Sequence, residues 1–272
     1  MNQSIRSGLV AGLMICFTLV AAAAPVSRDD VVNIGGQNLH IRILGDNGPT
    51  IVFEAGLGND MSTWRPVAQA VARFAQVVLY DRAGLGGSLP LARANTPITA
   101  ADVATALHLL LKKTGLRPPF ILVGHSLGGL YVQMFARRYP REIAGVVLLD
   151  SSSSDAPAGL KTRARLEPGS AAYLEEAGTA TSNDQVRHAG PFPAVPLMVV
   201  AATDHGPFFK SWEPVLMELQ RRLADLSPKG RLLVARGSGH YIQTDRPALV
   251  VSAIRSAVSE VDPRQRNGVS AR

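Results

Sequence analysis

The chain has 272 residues, of which 46% are hydrophobic and 18% are charged, and its formal net charge is +7 at pH 7. This composition agrees with one globular domain that buries a large core, and it requires no second domain. The basic residues are scattered without runs or interleaved aromatic residues, which argues against a nucleic-acid partner, and a single cysteine excludes a disulfide within the chain or a cysteine-based metal site.

The N-terminus has the pattern of a secretory signal peptide. One cation, Arg6, precedes an apolar stretch over residues 8–20, and alanines fill positions 21–24. We expect cleavage after Ala23, because Pro25 disfavours a cut directly before it. The prediction is an exported protein, periplasmic or secreted, that has no stable membrane insertion once residues 1–23 are removed. The alternative is a leader retained as an uncleaved anchor. Cys16 lies in the leader, so the mature protein has no thiol.

Strand and helix patterns alternate along the rest of the chain. Residues 33–44 predict a hairpin with its turn near Gly35 and Gly36. The remaining predicted strands cover residues 50–54, 76–80, 120–123, 143–149, 196–200 and 231–235, and the predicted helices cover 64–74, 100–114, 212–226 and 247–261, with one more beginning at Leu127. The apolar runs are of the kind that parallel sheets bury on both faces. We therefore predict an α/β fold, with a mostly parallel central sheet and helices on both of its faces.

One internal segment differs in character from its surroundings. Residues 151–193 are rich in Ser, Ala, Gly and Pro and show only short helical periodicity, which predicts an insertion over the strand ends. Residues 263–272 predict a flexible tail. The predicted organisation is a signal peptide at 1–23, one domain over 24–262 with a short cap insertion at about 151–193, and the tail.

The most informative motif is Gly124-His-Ser126-Leu-Gly128, which directly follows an apolar strand and opens a helix. This context is that of a nucleophile elbow. A strand that turns abruptly into a helix holds the middle residue in a strained conformation, and glycines allow neighbouring backbone to approach. Ser126 is thus the candidate nucleophile, and the amides at the start of the following helix point toward an anion that forms there.

Four motifs in order resemble the α/β-hydrolase fold family over essentially the whole mature chain. They are residues 55–58 (Ala-Gly-Leu-Gly), 80–88 (Tyr-Asp-Arg-Ala-Gly-Leu-Gly-Gly-Ser), 124–129 (Gly-His-Ser-Leu-Gly-Gly) and 237–240 (Gly-Ser-Gly-His). The resemblance implies that the backbone amides of Leu57 and Leu127 form the oxyanion hole. Ala55 stands where the family often has a histidine, which removes a side chain that braces the loop but not the backbone donor. Asp81 and Arg82 are expected to have only a structural role.

The resemblance also places the general base at His240, in the loop between the last strand and the last helix. Four other histidines are expected to be surface or structural residues, with His125 directing its ring away from the serine; they are His40, His108, His125 and His188.

Two residues compete for the acid that orients His240. Asp204 follows the strand at 196–200, the commoner family position, but counting from the strand start puts that position at His205. Asp150 follows the strand at 143–149, a position that a minority of the family uses. Asp150 is slightly favoured, and Asp155 is a distant third candidate. If Asp150 is the acid, its carboxylate should lie within hydrogen-bond distance of His240 and Asp204 should not.

These residues predict a serine hydrolase that cleaves a carboxylic ester of a small acyl substrate through an acyl-enzyme, with the insertion as the specificity cap. The chemistry requires no cofactor and no metal, and the expected partner is a small-molecule ester. A cofactor-free perhydrolase, an acyltransferase or an amidase could use the same triad. A hydrolase-like protein that binds a ligand without turnover is the alternative of another class.

Overall fold

A computed structural model describes residues 26–90, 95–157, 160 and 165–261 of the chain. The predicted signal peptide at 1–23 and the predicted tail at 263–272 lie outside these residues. Within the described ranges, no helix is both long and apolar enough to cross a membrane.

Eight strands form one sheet, in the order β1-β2-β4-β3-β5-β6-β7-β8. Their bounds are β1 Val26–Asn33, β2 Asn38–Leu44, β3 Thr50–Glu54, β4 Gln76–Tyr80, β5 Phe120–His125, β6 Ile143–Leu149, β7 Leu197–Ala202 and β8 Gly230–Ala235. Strand β2 pairs antiparallel with β1 and β4, and every other pairing is parallel. The mostly parallel sheet and the turn of the predicted hairpin are therefore confirmed. The first strand of that hairpin precedes the predicted range of 33–44.

Helices cover both faces of the sheet, as predicted. Their bounds are α1 Arg65–Val71, α2 Ala100–Lys113, α3 Leu127–Arg138, α4 Ala171–Ala177, α5 Thr179–His188, α6 Glu213–Ala224, α7 Ile242–Asp245 and α8 Pro247–Val261. The first predicted helix, at 64–74, is shorter than expected, because a 3₁₀ turn covers Met61–Trp64 and the helix already ends at Val71. Thr99 and Asp102 form a reciprocal capping box that fixes the start of α2.

The period-two alternation of the strands divides the core into two layers. Ile51 and Phe53 of β3 pack in one buried cluster with residues of α1 and α8, whereas Val52 between them packs in the other cluster, with residues of α2 and α3. Both faces of the central strands are thus buried, which explains their continuous apolar sequence.

The parallel register brings the candidate site residues to one edge of the sheet. His125 at the end of β5 pairs with Leu149 at the end of β6, so Ser126 and Asp150 are the next residues on adjacent strands. The Ser126 amide donates to the Leu149 carbonyl at 3.1 Å, and the Asp150 amide donates to the Val200 carbonyl at 2.8 Å. Backbone hydrogen bonds therefore join the ends of β5, β6 and β7 at the edge of the sheet where the candidate site residues lie.

The segment at 151–193 contains α4 and α5 and is hydrogen-bonded to the body of the fold. The Ile98 amide donates to the Leu174 carbonyl at 2.9 Å, and the Ala100 amide donates to Ser182 Oγ at 2.9 Å. A Cβ atom added at Gly58 would lie 2.7 Å from Ala172 Cβ, so α4 also contacts the loop after β3 closely. The described part of this segment therefore packs against the body of the fold and the loop after β3.

Candidate active site

Ser126 lies at the tip of a strained turn between β5 and α3. Its φ of 52° and ψ of −124° fall in a region that non-glycine residues rarely adopt. A Cβ at Gly124 would lie 2.7 Å from Gly129 Cα, and one at Gly128 would lie 2.3 Å from the Ala55 carbonyl oxygen. The motif glycines are therefore required because backbone passes where their side chains would be.

Three side chains from three different loops form one hydrogen-bonded series. His240 Nε2 lies 2.9 Å from Ser126 Oγ, and His240 Nδ1 lies 2.6 Å from Asp150 Oδ2. A carboxylate only accepts hydrogen bonds, so Nδ1 of His240 carries the proton and Nε2 presents its lone pair to the serine hydroxyl. This is the tautomer that a general base needs in order to take the proton of Ser126.

The structure brings Asp150, and not Asp204, to His240. Asp204 Oδ1 instead accepts a hydrogen bond from the Gly206 amide at 3.1 Å, and the Asp204 amide donates to the Ser238 carbonyl at 3.0 Å. The Asp204 side chain therefore closes the turn that follows β7. The assignment of Asp204 as an alternative acid does not fit this geometry.

The Asp150 carboxylate is buried and fully engaged. Its Oδ1 accepts from the Ala202 amide at 3.2 Å, and its Oδ2 lies near both His240 and His205. Burial alone would raise the pKa of the Asp150 carboxyl, but hydrogen bonds from His205 and His240 outweigh it and hold the pKa well below its usual range. Asp150 is therefore ionised at every pH at which the protein is expected to work.

His205 is a site residue that the sequence did not reveal. Its Nε2 lies 2.7 Å from Asp150 Oδ2, and its Nδ1 lies 3.0 Å from Glu213 Oε2 at the start of α6. Burial would lower the pKa of His205, but the hydrogen bonds and charges of Asp150 and Glu213 raise it to about 9. The signal in the sequence was the position itself, because counting from the β7 strand puts the commoner acid position at His205.

Asp150, His205 and His240 are also the group of described residues that could hold a metal ion, since their donor atoms lie within 4.8 Å of one another. The nitrogen-to-oxygen distances of 2.6 and 2.7 Å are those of charge-assisted hydrogen bonds with a proton between the atoms. A bound ion would take the lone pair and the proton positions on which the series to Ser126 depends. The observed spacing therefore fits proton-bearing histidines better than metal ligands.

His125 is a buried structural histidine that contacts the loop carrying His240. Its Nε2 donates to the backbone carbonyl of His240 at 2.9 Å, and the two rings are 4.7 Å apart. Its ring also packs edge-on against Trp64. Burial, together with the nearby His240, lowers the pKa of His125 to about 3, so the ring is neutral and holds the backbone of the His240 loop.

The loop after β3 passes directly beside the nucleophile. A Cβ at Gly56 would lie 3.3 Å from Ser126 Cβ. Within the described ranges, the amides of Leu57 and Leu127 donate no hydrogen bond to another residue. Two N–H groups, one in the residue after Ser126 and one in the neighbouring loop, thus have no competing acceptor among the described residues. The oxyanion hole at Leu57 and Leu127 stays a prediction.

Arg82 supplies the bracing that the absent histidine at position 55 would give. Its Nη1 donates to the Ala55 carbonyl and its Nη2 to the Gly56 carbonyl, both at 2.7 Å. Nη1 also donates to Glu54 Oε1 at 2.7 Å. The structural role expected for Arg82 at its own turn therefore extends to the loop that carries Leu57.

Glu175 of α4 completes this brace from the insertion. Its Oε1 accepts from Arg82 Nε at 2.6 Å, and its Oε2 accepts from the Gly58 amide at 2.8 Å. Both side chains are buried, so the ion pair is sheltered from water. The peptide groups on both sides of Leu57 are consequently held by one buried charge network.

The remaining candidates of the sequence analysis lie outside this series. The Asp155 amide donates to Ser153 Oγ at 3.2 Å. The other histidines have local partners: His40 binds Asp29 and Asp81, His108 Nε2 lies 3.0 Å from Glu142, and His188 Nδ1 lies 2.8 Å from the Asp184 carbonyl.

Comparisons with known proteins agree with this architecture. A family model described as alpha/beta hydrolase fold matches residues 49–208. The uncharacterized protein YqjL of Bacillus subtilis (strain 168) is 29% identical over 219 residues, covering 77% of this chain and 83% of that protein. Epoxide hydrolase A from Mycobacterium thermoresistibile has a TM-score of 0.70 at 17% identity, covering 88% of this chain and 99% of that one. The enol-lactonase from Burkholderia xenovorans LB400 has a TM-score of 0.65 at 21% identity, covering 87% and 100%. At such identities the two structures demonstrate a shared fold.

Proposed function

Because the chain belongs to the alpha/beta hydrolase fold family, we propose that it is a serine hydrolase that cleaves a carboxylic ester of a small acyl substrate through an acyl-enzyme. The observation that carries the proposal is the unbroken series from Ser126 Oγ through His240 to Asp150, with distances of 2.9 and 2.6 Å. A serine is a weak nucleophile unless an oriented base can take its proton.

The reaction follows from the protonation states of the series. His240 Nε2 takes the proton of Ser126 Oγ as the oxygen bonds to the ester carbonyl carbon. The carbonyl oxygen becomes an oxyanion, which the amides of Leu57 and Leu127 stabilise, and one such donor contributes about 3 to 4 kcal/mol. His240 then returns the proton to the leaving alcohol, and the carbon–oxygen bond to that alcohol breaks. The acyl-enzyme remains.

Water completes the cycle in the same site. It gives a proton to His240 Nε2 as its oxygen attacks the acyl carbonyl, and the proton returns to Ser126 Oγ when the acid leaves. Asp150 stays ionised throughout, because it accepts hydrogen bonds and gives up no proton. Its role is to hold the His240 tautomer and to stabilise the imidazolium that forms twice in each turnover.

The test is covalent labelling by a fluorophosphonate, joined to turnover of p-nitrophenyl esters of graded chain length. Wild-type protein should label once and hydrolyse the short esters fastest, and Ser126→Ala should fold, but neither label nor hydrolyse. Ser62→Ala is the matched control, because Ser62 is exposed. Labelling retained in Ser126→Ala would remove Ser126 from the mechanism. Absent labelling of the wild type would favour a protein that binds a ligand without turnover.

A further inference from the structure

The ring of His205 lies between two carboxylates, one of which is Asp150 of the proposed triad. Its Nε2 lies 2.7 Å from Asp150 Oδ2, its Nδ1 lies 3.0 Å from Glu213 Oε2, and its own amide donates to Glu213 Oε1 at 2.8 Å. Only 7% of its side chain is exposed. The residue therefore has a fixed orientation, with a carboxylate oxygen facing each ring nitrogen.

The hydrogen-bond roles fix the charge of this ring. Asp150 Oδ2 already accepts the Nδ1 proton of His240, and Asp150 Oδ1 accepts the Ala202 amide, so this carboxylate acts as an acceptor on all sides. Glu213 likewise accepts the His205 amide. A nitrogen facing such an oxygen must carry a hydrogen, because two lone pairs at 2.7 or 3.0 Å would repel. Both nitrogens of His205 are thus protonated.

We propose that His205 is a positioning residue of the proposed triad: an imidazolium, held by Glu213, that pins the Asp150 carboxylate in the orientation in which Asp150 orients His240. His205 transfers no proton during turnover. Its kinetic consequence rests on the proposed function, whereas its charge does not.

The surrounding titratable groups support a lasting positive charge. Asp150 faces His205 from the end of β6 and Glu213 from α6, and His240 faces it from the loop after β8 at a ring separation of 6.2 Å. Asp204, the chain neighbour, directs its carboxylate to the Gly206 amide. Two anions thus outweigh the cost of burial, in agreement with a pKa raised to about 9.

The shared oxygen explains why the charge matters for the triad. Asp150 Oδ2 is the atom that accepts from both His205 and His240. When His205 loses its proton, one of its nitrogens presents a lone pair to a carboxylate, and the ring or the carboxylate must turn. Whichever nitrogen loses the proton, Asp150 Oδ2 no longer faces a positive charge. The carboxylate is then held less firmly, and the His240 ring loses its fixed direction toward Ser126.

Nuclear magnetic resonance of the full chain labelled with ¹⁵N-histidine reads the charge directly. At pH 7.5, the histidine whose signals are absent from His205→Gln should show protons on both ring nitrogens and should titrate near pH 9. That comparison is needed because His40 also has a carboxylate oxygen facing each ring nitrogen. Glu213→Gln should move that titration to lower pH, since it removes one of the two anions. A His205 ring with a single proton at pH 7.5 would overturn the proposal, and this measurement needs no activity.

Kinetics then separate positioning from a merely structural role. The rate of p-nitrophenyl acetate hydrolysis, corrected by the Ser126→Ala rate, should fall roughly ten- to a hundredfold as the pH passes about 9, the usual effect of one charge-assisted hydrogen bond. His205→Gln keeps an amide donor near the Nε2 position, so it should be slower at pH 7.5 but lack this step. His205→Asn keeps a donor only near Nδ1 and should be slower still.

The outcomes distinguish the two proposals. A step that remains in His205→Gln, or that Glu213→Gln leaves in place, contradicts the role of His205. If both His205 variants fail to fold, the titration of the histidine signals in the wild type and its shift in Glu213→Gln decide whether His205 is charged. If Ser126 does not label with a fluorophosphonate, the proposed function fails, and the resonance measurement alone judges the charge of His205.

Discussion

Acid should destabilise this fold through His125, and His125→Gln should remove much of that sensitivity. The His125 ring is 1% exposed, its Nε2 donates to the His240 carbonyl, and its Nδ1 has no hydrogen-bond partner among the described residues. A proton added at Nδ1 would thus be buried without an acceptor. The Gln side-chain amide can replace the Nε2 donor but does not titrate in this range.

The size of the effect follows from the two pKa values. In the unfolded chain His125 titrates near 6.5, whereas burial lowers its pKa to about 3 in the fold. The unfolded state therefore binds the extra proton, so stability present above pH 6.5 is lost as the pH falls. Integrating the linkage relation from pH 7.5 to pH 4.5 gives a loss of about 3 kcal/mol. The loss changes little for any folded-state pKa below about 4, because at pH 4.5 the folded ring is then mostly neutral.

Urea unfolding of the two proteins at pH 7.5, 5.5 and 4.5 measures this loss. Carboxyl groups that titrate in both proteins cancel in the difference between them. The stability of the wild type relative to His125→Gln should fall by about 3 kcal/mol over this range, with m-values unchanged. Parallel pH dependences in the two proteins would refute the reasoning, because His125 would then bind its proton equally in both states.

Three further predictions concern the acid, the brace and the leader. Asp150→Asn should lower ester turnover by up to about four orders of magnitude by favouring the wrong His240 tautomer, whereas Asp204→Asn should change it little; equal losses in kcat would contradict the assignment. Glu175→Gln should lower kcat more than it raises KM, because the Gly58 amide loses a charged acceptor and the oxyanion loop loosens; a change in KM alone would contradict this. The exported protein should begin near Ala24 on N-terminal sequencing, and a start at Met1 would indicate a retained anchor.

Local patterns in the sequence were sufficient to predict most of the central strands and the long helices. The predicted strands at 76–80 and 143–149 and the predicted helix at 247–261 coincide with β4, β6 and α8. Their apolar spacing is set by residues that are neighbours in the chain, so periodicity is enough to find them. The elbow at Ser126 was equally visible, because its glycines, its strand and its helix are contiguous.

The contacts that complete the site connect residues far apart in the chain, and the sequence did not reveal them. Glu175 reaches Arg82 across 93 positions, and His205 reaches Asp150 across 55. A buried glutamate on an amphipathic helix resembles any surface glutamate until its neighbours are known. The choice between Asp150 and Asp204 depended in the same way on how each loop leaves its strand.

The position of the acid at Asp150 and the presence of a histidine at position 205 depend on each other. Strands β6 and β7 are neighbours, and Asp150 is tied to β7 through the Val200 carbonyl and the Ala202 amide. The Asp150 carboxylate can therefore reach the ring of His240 from the end of β6, although the commoner acid position follows β7. A second carboxylate from the loop after β7 would then repel it at close range. An imidazolium at position 205 replaces that repulsion with attraction, and Glu213 keeps the imidazolium charged. On this reasoning, acidic residues at both 150 and 205 would disfavour the ionised acid, so a carboxylate at 150 is compatible with a cation, and not an anion, at 205.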